Sequence, residues 1–98
     1  MIHELKIWPQ YYARVKDGSK TFEIRENDRG YQPGDEVILK EFDPDMVTPI
    51  DKTIPKGYTE APNLRFTVGY VFVLDSSTVV FSLLPPPKRL EKKKKASK

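Results

Sequence analysis

The 98-residue chain is long enough for one domain with one hydrophobic core. Its 38% hydrophobic and 32% charged content describes a globular, rather polar protein, and no apolar run approaches the roughly 20 residues of a membrane span. The absence of cysteine excludes a disulfide framework and thiolate zinc sites, and His3, the single histidine, leaves only carboxylates as further metal ligands. No metal or cofactor signature is present, so no cofactor is expected.

The residues Met1 to Lys6 lack the apolar stretch of a secretory signal, which makes a cytoplasmic protein the expectation. The net charge of +3 is unevenly held. Residues 88–98 carry seven basic side chains against Glu91, so the rest of the chain is acidic, at −3. The basic character therefore belongs to the tail and is no argument that the folded part binds nucleic acid.

His3 to Ile7 alternates, with Leu5 and Ile7 on one face, and reads as a first strand. Pro9 suits the first turn of a helix, where its missing N–H costs nothing. From Pro9 to Asp17 the spacing is helical: Tyr12 and Val15, with Tyr11 or Trp8, share a face, and Gly18 is a natural stop. Thr21 to Arg25 alternates again. Phe22 and Ile24 are expected to enter the core, leaving Thr21, Glu23 and Arg25 on a polar face beside Lys20, Asp28 and Arg29. Such a cluster is either a binding site on a stiff element or a solvated strand face with an ordinary ion pair.

Gln32-Pro33-Gly34-Asp35 has Pro and Gly spaced for a type II turn. Glu36 to Phe42 forms a strand with Val37, Leu39 and Glu41 on one side. Asp43 to Pro62 lacks periodicity and reads as a long loop, either a lid or a floppy insertion. Asn63 to Leu74 is a long strand with Phe66, Val68, Tyr70, Phe72 and Leu74 on one parity, and Gly69 marks a bulge or bend. Asp75-Ser76-Ser77 turns the chain into a last strand, Thr78 to Leu84. Residues 1–84 thus form one domain, and 85–98 a Pro-rich, then Lys-rich disordered tail that attracts polyanions non-specifically. The order β-α-β-β-loop-β-β implies an α+β, mostly β fold: a small curled barrel of five to six strands, mainly antiparallel, with one short N-terminal helix at an opening.

The pattern Gly18-x-Lys20-x-x-Glu23-x-Arg25 resembles the GxKxxExR motif of the ASCH domain, a branch of the PUA-like superfamily. Over residues 3–42, including Asn27-Asp28-Arg29 and Gly34-Asp35, the chain is similar to a small uncharacterised ASCH-like family of phages and bacteria. The resemblance is weak over 43–84 and absent in the tail. It implies a small β-barrel with a cleft beside the motif strand, and RNA or a nucleotide-like molecule as ligand. One ASCH branch removes the acetyl group of N4-acetylcytidine with a lysine, a threonine nucleophile and a later glutamate. The lysine falls on Lys20, but the threonine position falls on Glu23, and Thr21 lies one pleat earlier. The later glutamate has no counterpart, since Glu60 stands without a motif around it, so hydrolysis by that route is not expected.

The candidate ligand-binding residues are Lys20, Glu23, Arg25, His3, Lys6, Asp28 and Arg29, with Lys20 and Glu23 the catalytic candidates if the protein is an enzyme. Lys20 offers a point charge to phosphate and Arg25 a planar fork to phosphate or a base edge. Glu23 either accepts from an exocyclic amine or holds Lys20 or Arg25. His3 is either in the cleft or an exposed terminal histidine; Asp28 and Arg29 either bind ligand or pair within their turn. Trp8, Tyr11, Tyr12, Tyr31 and Tyr58 are either stacking platforms or core. Three functions stay open: an RNA-binding module, an enzyme or receptor for a modified nucleoside or small nucleotide, and a protein-interaction barrel.

Overall fold

The computed structural model describes residues 1–86; the lysine-rich part of the expected tail, from residue 87 on, lies outside the described residues. The elements are β1 (Ile2–Ile7), α1 (Pro9–Lys16), β2 (Phe22–Glu26), β3 (Glu36–Glu41), β4 (Leu64–Asp75) and β5 (Thr78–Leu84). They follow the local signals closely. Pro9 opens the helix, and Gly18, at φ 85°, ends it by giving its N–H to the Val15 carbonyl. The Lys20 N–H then takes the Arg14 carbonyl, which fixes the approach of the chain to β2. Gln32 to Asp35 forms the type II turn, with Gly34 at φ 93° and the Asp35 N–H bonded to the Gln32 carbonyl.

The five strands make one sheet in the order β1-β3-β4-β5-β2. The β1–β3 pair is parallel and the other three pairs are antiparallel. The sheet curls into a half-barrel around one core, in which Leu5, Ile7, Val37, Leu39, Val68, Val79 and Phe81 meet Tyr12 and Val15 of the helix. Both outer strands, β1 and β2, face a common seam. Among the described residues no backbone ladder joins them; the Arg25 guanidinium crosses instead, donating from Nη2 to the Lys6 carbonyl at 2.9 Å.

The face expected inward in β2 is inverted, and the single parity of β4 is broken. In β2 the carboxylate-bearing Glu23 is 3% exposed, whereas Phe22 and Ile24 are 42% and 57% exposed. The register explains this: Glu23 sits opposite Phe81 and Arg25 opposite Val79, both inward residues of β5. In β4 the parity flips midway. Val68 faces Leu83 and Val71 faces Phe81, so Gly69 and Tyr70 together oppose Ser82 as a bulge. Phe66, Val68 and Val71 therefore pack inward, while Tyr70, Phe72 and Leu74 are exposed. The Ser82 hydroxyl accepts the Tyr70 N–H released by the bulge, and a Cβ on Gly69 would overlap that hydroxyl and press on Leu84.

Residues 43–62 are anchored at their base rather than loose there. Phe42 and Tyr58 form an isolated antiparallel bridge, the Asp43 N–H bonds the Gly57 carbonyl, and Gly57 lies so close to the Phe42 ring that a side chain there would overlap it. His3 is not an exposed terminal histidine. It is 2% exposed, its ring 4.6 Å from that of Tyr31 and its Nε2 2.9 Å from Asp35 Oδ2. The Asp35 carboxylate also accepts from the Gln32 N–H and the N-terminal ammonium, and its carbonyl accepts the Val68 N–H of β4, while the Gly34 N–H bonds the Val68 carbonyl in return. Burial favours the protonated Asp35, but the bonds from His3, Gln32 and the N-terminus outweigh it and hold the carboxyl below its ordinary range.

Two outcomes follow for stability. Because the Asp35 carboxyl has a lower pKa folded than unfolded, the folded chain binds fewer protons in acid. Its contribution is full above the unfolded value, near pH 4, and fades as pH falls through the folded one. Asp35→Asn should cost about 1–3 kcal/mol at pH 7, and thermal melts should show that gap to wild type shrinking toward pH 3; a gap constant with pH would refute the linkage. Gly69→Ala should cost a similar ~1–3 kcal/mol by overpacking the bulge, seen as a melting temperature lower by several degrees, whereas an unchanged melt would mean Ser82 can turn away freely.

Candidate functional site

Glu23 enters the barrel because both its oxygens are taken. Lys20 Nζ donates to Oε2 at 2.8 Å, and Arg25 Nε donates to Oε1 at 2.9 Å. Lys20 Nζ also reaches the Phe22 carbonyl at 2.7 Å. The i, i+2 spacing on one strand face brings Arg25 beside Glu23, and the fixed exit from the helix brings Lys20 to its other side. The buried charge is thereby doubly compensated, the condition under which a carboxylate is tolerated in a core. Glu23 thus holds both cations.

Beside this cluster the seam opens into a cleft of about 540 Å³ between β1, the start of α1 and β2. That volume lies within the roughly 300–1,000 Å³ range of small-molecule sites. Trp8, Tyr11, Phe22 and Ile24 supply its apolar walls, and Lys6, Lys20, Glu23 and Arg25 its polar groups. The inverted strand gains its meaning here, since the outward Phe22 and Ile24 are cleft wall. Lys20 Nζ lies 5.0 Å from the Phe22 ring centre and 5.9 Å from that of Tyr11, which ties the cation to the aromatic wall. The strand also offers backbone. The Leu83 N–H bonds the Thr21 carbonyl and the Asn27 N–H the Ser77 carbonyl, so odd-numbered residues face β5 and even-numbered ones face the seam. The Phe22 carbonyl is taken by Lys20 and that of Glu26 by the Asp28 N–H, whereas the Ile24 N–H and C=O, without a partner among the described residues, lie on the cleft side of the strand.

The structure brings together Lys20, Glu23, Arg25 and Lys6. It sets His3 apart, buried against Tyr31 and Asp35 and outside the cleft lining. Arg29 lies across the Arg25 bridge in a neighbouring concavity, and Asp28 lines neither. No bond joins Asp28 to Arg29 among the described residues, so the pairing expected within that turn is absent. Of the aromatic candidates, Tyr12 and Tyr31 are core. The Tyr12 hydroxyl donates to the Pro62 carbonyl at 2.6 Å, and Tyr31 packs between His3 and Phe81. Trp8 and Tyr11 line the cleft, and Tyr58 the neighbouring concavity. Thr21 lies outside the cleft lining, and none of residues 43–57 reaches either concavity. Lys40 and Glu4, which belong to the second concavity, carried no sequence signal, because only the parallel pairing of β1 with β3 brings them there.

Among known proteins, an "Uncharacterized 12.9 kDa protein in GpA 3'region" of Escherichia phage P2 is similar to this chain, at 44% identity over 41 residues. That match covers 42% of this chain and 38% of the phage protein. A family match extends much further, across residues 2–82, from the start of β1 into β5. The chain belongs to the family described as a domain of unknown function, DUF3850.

Proposed function

We infer that the protein is an RNA-binding module that takes one unpaired base into the cleft beside the motif strand. The observation that carries this reading is the pairing of an aromatic wall with fixed cations in one concavity of suitable size. Trp8 and Tyr11 are exposed enough to stack on a base, which is the usual way proteins hold single-stranded RNA. Ile24 provides one backbone donor and one acceptor for a base edge. Arg25 uses Nε and Nη2 on Glu23 and the Lys6 carbonyl, and Nη1 has no hydrogen bond among the described residues. The resemblance of Gly18-x-Lys20-x-x-Glu23-x-Arg25 to the ASCH motif supports the same class of ligand. Hydrolysis of an acylated base has less support, because Glu23 stands where the threonine nucleophile would be and both its oxygens are committed.

Tyr11→Ala separates binding from folding. Alanine has the higher helix propensity, and among the described residues Tyr11 makes no hydrogen bond through its side chain, so the melting temperature should hold. Loss of one base stack, worth about 1–3 kcal/mol, should weaken binding of a short single-stranded RNA about tenfold or more at moderate salt. Titration of the full chain, followed by Trp8 fluorescence, reads this directly; unchanged affinity and an unresponsive Trp8 would refute the assignment. Cytidine and N4-acetylcytidine serve as parallel ligands. Binding of the free nucleosides with no preference for RNA would make the cleft a small-molecule site.

A further inference from the structure

Across the Arg25 bridge lies a second concavity of about 500 Å³, whose polar lining comprises Glu4, Lys6, Arg25, Arg29, Lys40 and Tyr58. Four cations face one carboxylate there, in a domain that is acidic in total. That carboxylate is already used: Glu4 pairs with Lys40 at 2.8 Å. Lys6 has no acidic partner among the described residues and holds its ammonium 4.3 Å from the centre of the Phe42 ring. Arg29 has no ion pair or hydrogen bond among the described residues. Lys6 and Lys40 are also direct register partners in the parallel β1–β3 pair and therefore share a face of the sheet. Like charges so placed repel, and an anion between them removes the repulsion.

We propose that this second concavity is a phosphate subsite and that, with the aromatic cleft, it forms a two-part nucleotide site. The two concavities share Lys6 and Arg25, so they meet at the bridge between β1 and β2. A ligand crossing that boundary meets apolar rings on one side and Lys6, Arg29 and Lys40 on the other. A base joined through its sugar to a phosphate has this division. Two sources offer that one chemistry, the monoester of a free nucleotide and the diester of an RNA strand. The base half rests on the cleft reading above; the phosphate half stands on the charge arrangement alone.

The test compares the full chain with the double variant Arg29→Ala/Lys40→Ala, using a nucleoside, its 5′-monophosphate and a short single-stranded RNA. Trp8, the chain's single tryptophan, reports the cleft. In the wild type the monophosphate should bind more tightly than the nucleoside. In the double variant that advantage should vanish while nucleoside affinity stays unchanged. For RNA, removing each cation that neutralises a phosphate should flatten the slope of log affinity against log salt by about 0.7, with any tail contribution common to both proteins. A flattened slope without a monophosphate advantage would identify the strand diester as the source. A double variant that keeps both the slope and the monophosphate advantage would overturn the subsite and leave the cleft reading intact. A Trp8 signal silent to every ligand, with the slope, read separately from the anisotropy of end-labelled RNA, still flattened in the double variant, would do the reverse.

Discussion

The half-barrel depends on one buried carboxylate. A closed barrel joins its first and last strands by a ladder of backbone bonds. Here, among the described residues, β1 and β2 are not paired with each other, and the join is a relay: Lys20 to Glu23, Glu23 to Arg25, Arg25 to the Lys6 carbonyl. A side-chain closure spans a wider gap than a backbone bond, so the seam remains open as a cleft. It also leaves edge backbone groups available at a place that aromatic side chains shelter. Unprotected edges invite pairing with other chains, and here the helix start and the bridge cover part of this one.

Total charge is a poor guide to such a domain. Much of its negative charge is committed to local turns. Asp17 caps the Ser19 N–H, Asp43 that of Asp45, Asp51 that of Thr53 and Asp75 that of Ser77. None of these four carboxylates lines either concavity. The acids shape loops, whereas Lys6, Lys20, Arg25, Arg29 and Lys40 gather at the seam. An excess of acid over base is therefore compatible with a locally positive surface, and the field near the seam is what an approaching anion meets.

Much of this architecture was legible in the sequence because its signals are local. Proline at the helix start, glycine at its end, the Pro33-Gly34 turn and the runs of alternation each act over a few residues, and every element appears where they point. The failures are of another kind. Alternation names two faces but not which one is inside; that is decided by the partner strand, and the partner of β2 is β5, more than fifty residues away. The Gly69 bulge was legible, but its consequence, a parity change that turns Phe72 and Leu74 outward, follows only from the pairing with Ser82. His3 became core through Asp35, a contact across 32 residues. The motif residues Lys20, Glu23 and Arg25 are legible as a cluster, whereas the sequence alone leaves Trp8 and Tyr11 open between core and cleft, because the helix shares its aromatic residues between the two.

The inversion of β2 links these points. A strand with Phe22 and Ile24 inward and Glu23 outward would suit burial better, since an apolar residue stabilises a core without the desolvation that a charge must overcome. The observed arrangement instead sets the charged trio toward the barrel and the two apolar side chains along the cleft wall. That costs core stability and builds a surface with apolar walls and a fixed polar floor. A pre-organised floor loses little freedom when it meets a ligand, because both oxygens of Glu23 and two nitrogens of Arg25 are already held. On the proposed reading, the departure of β2 from the hydrophobic-in rule is therefore where binding was favoured over packing, and it coincides with the stretch that carries the motif.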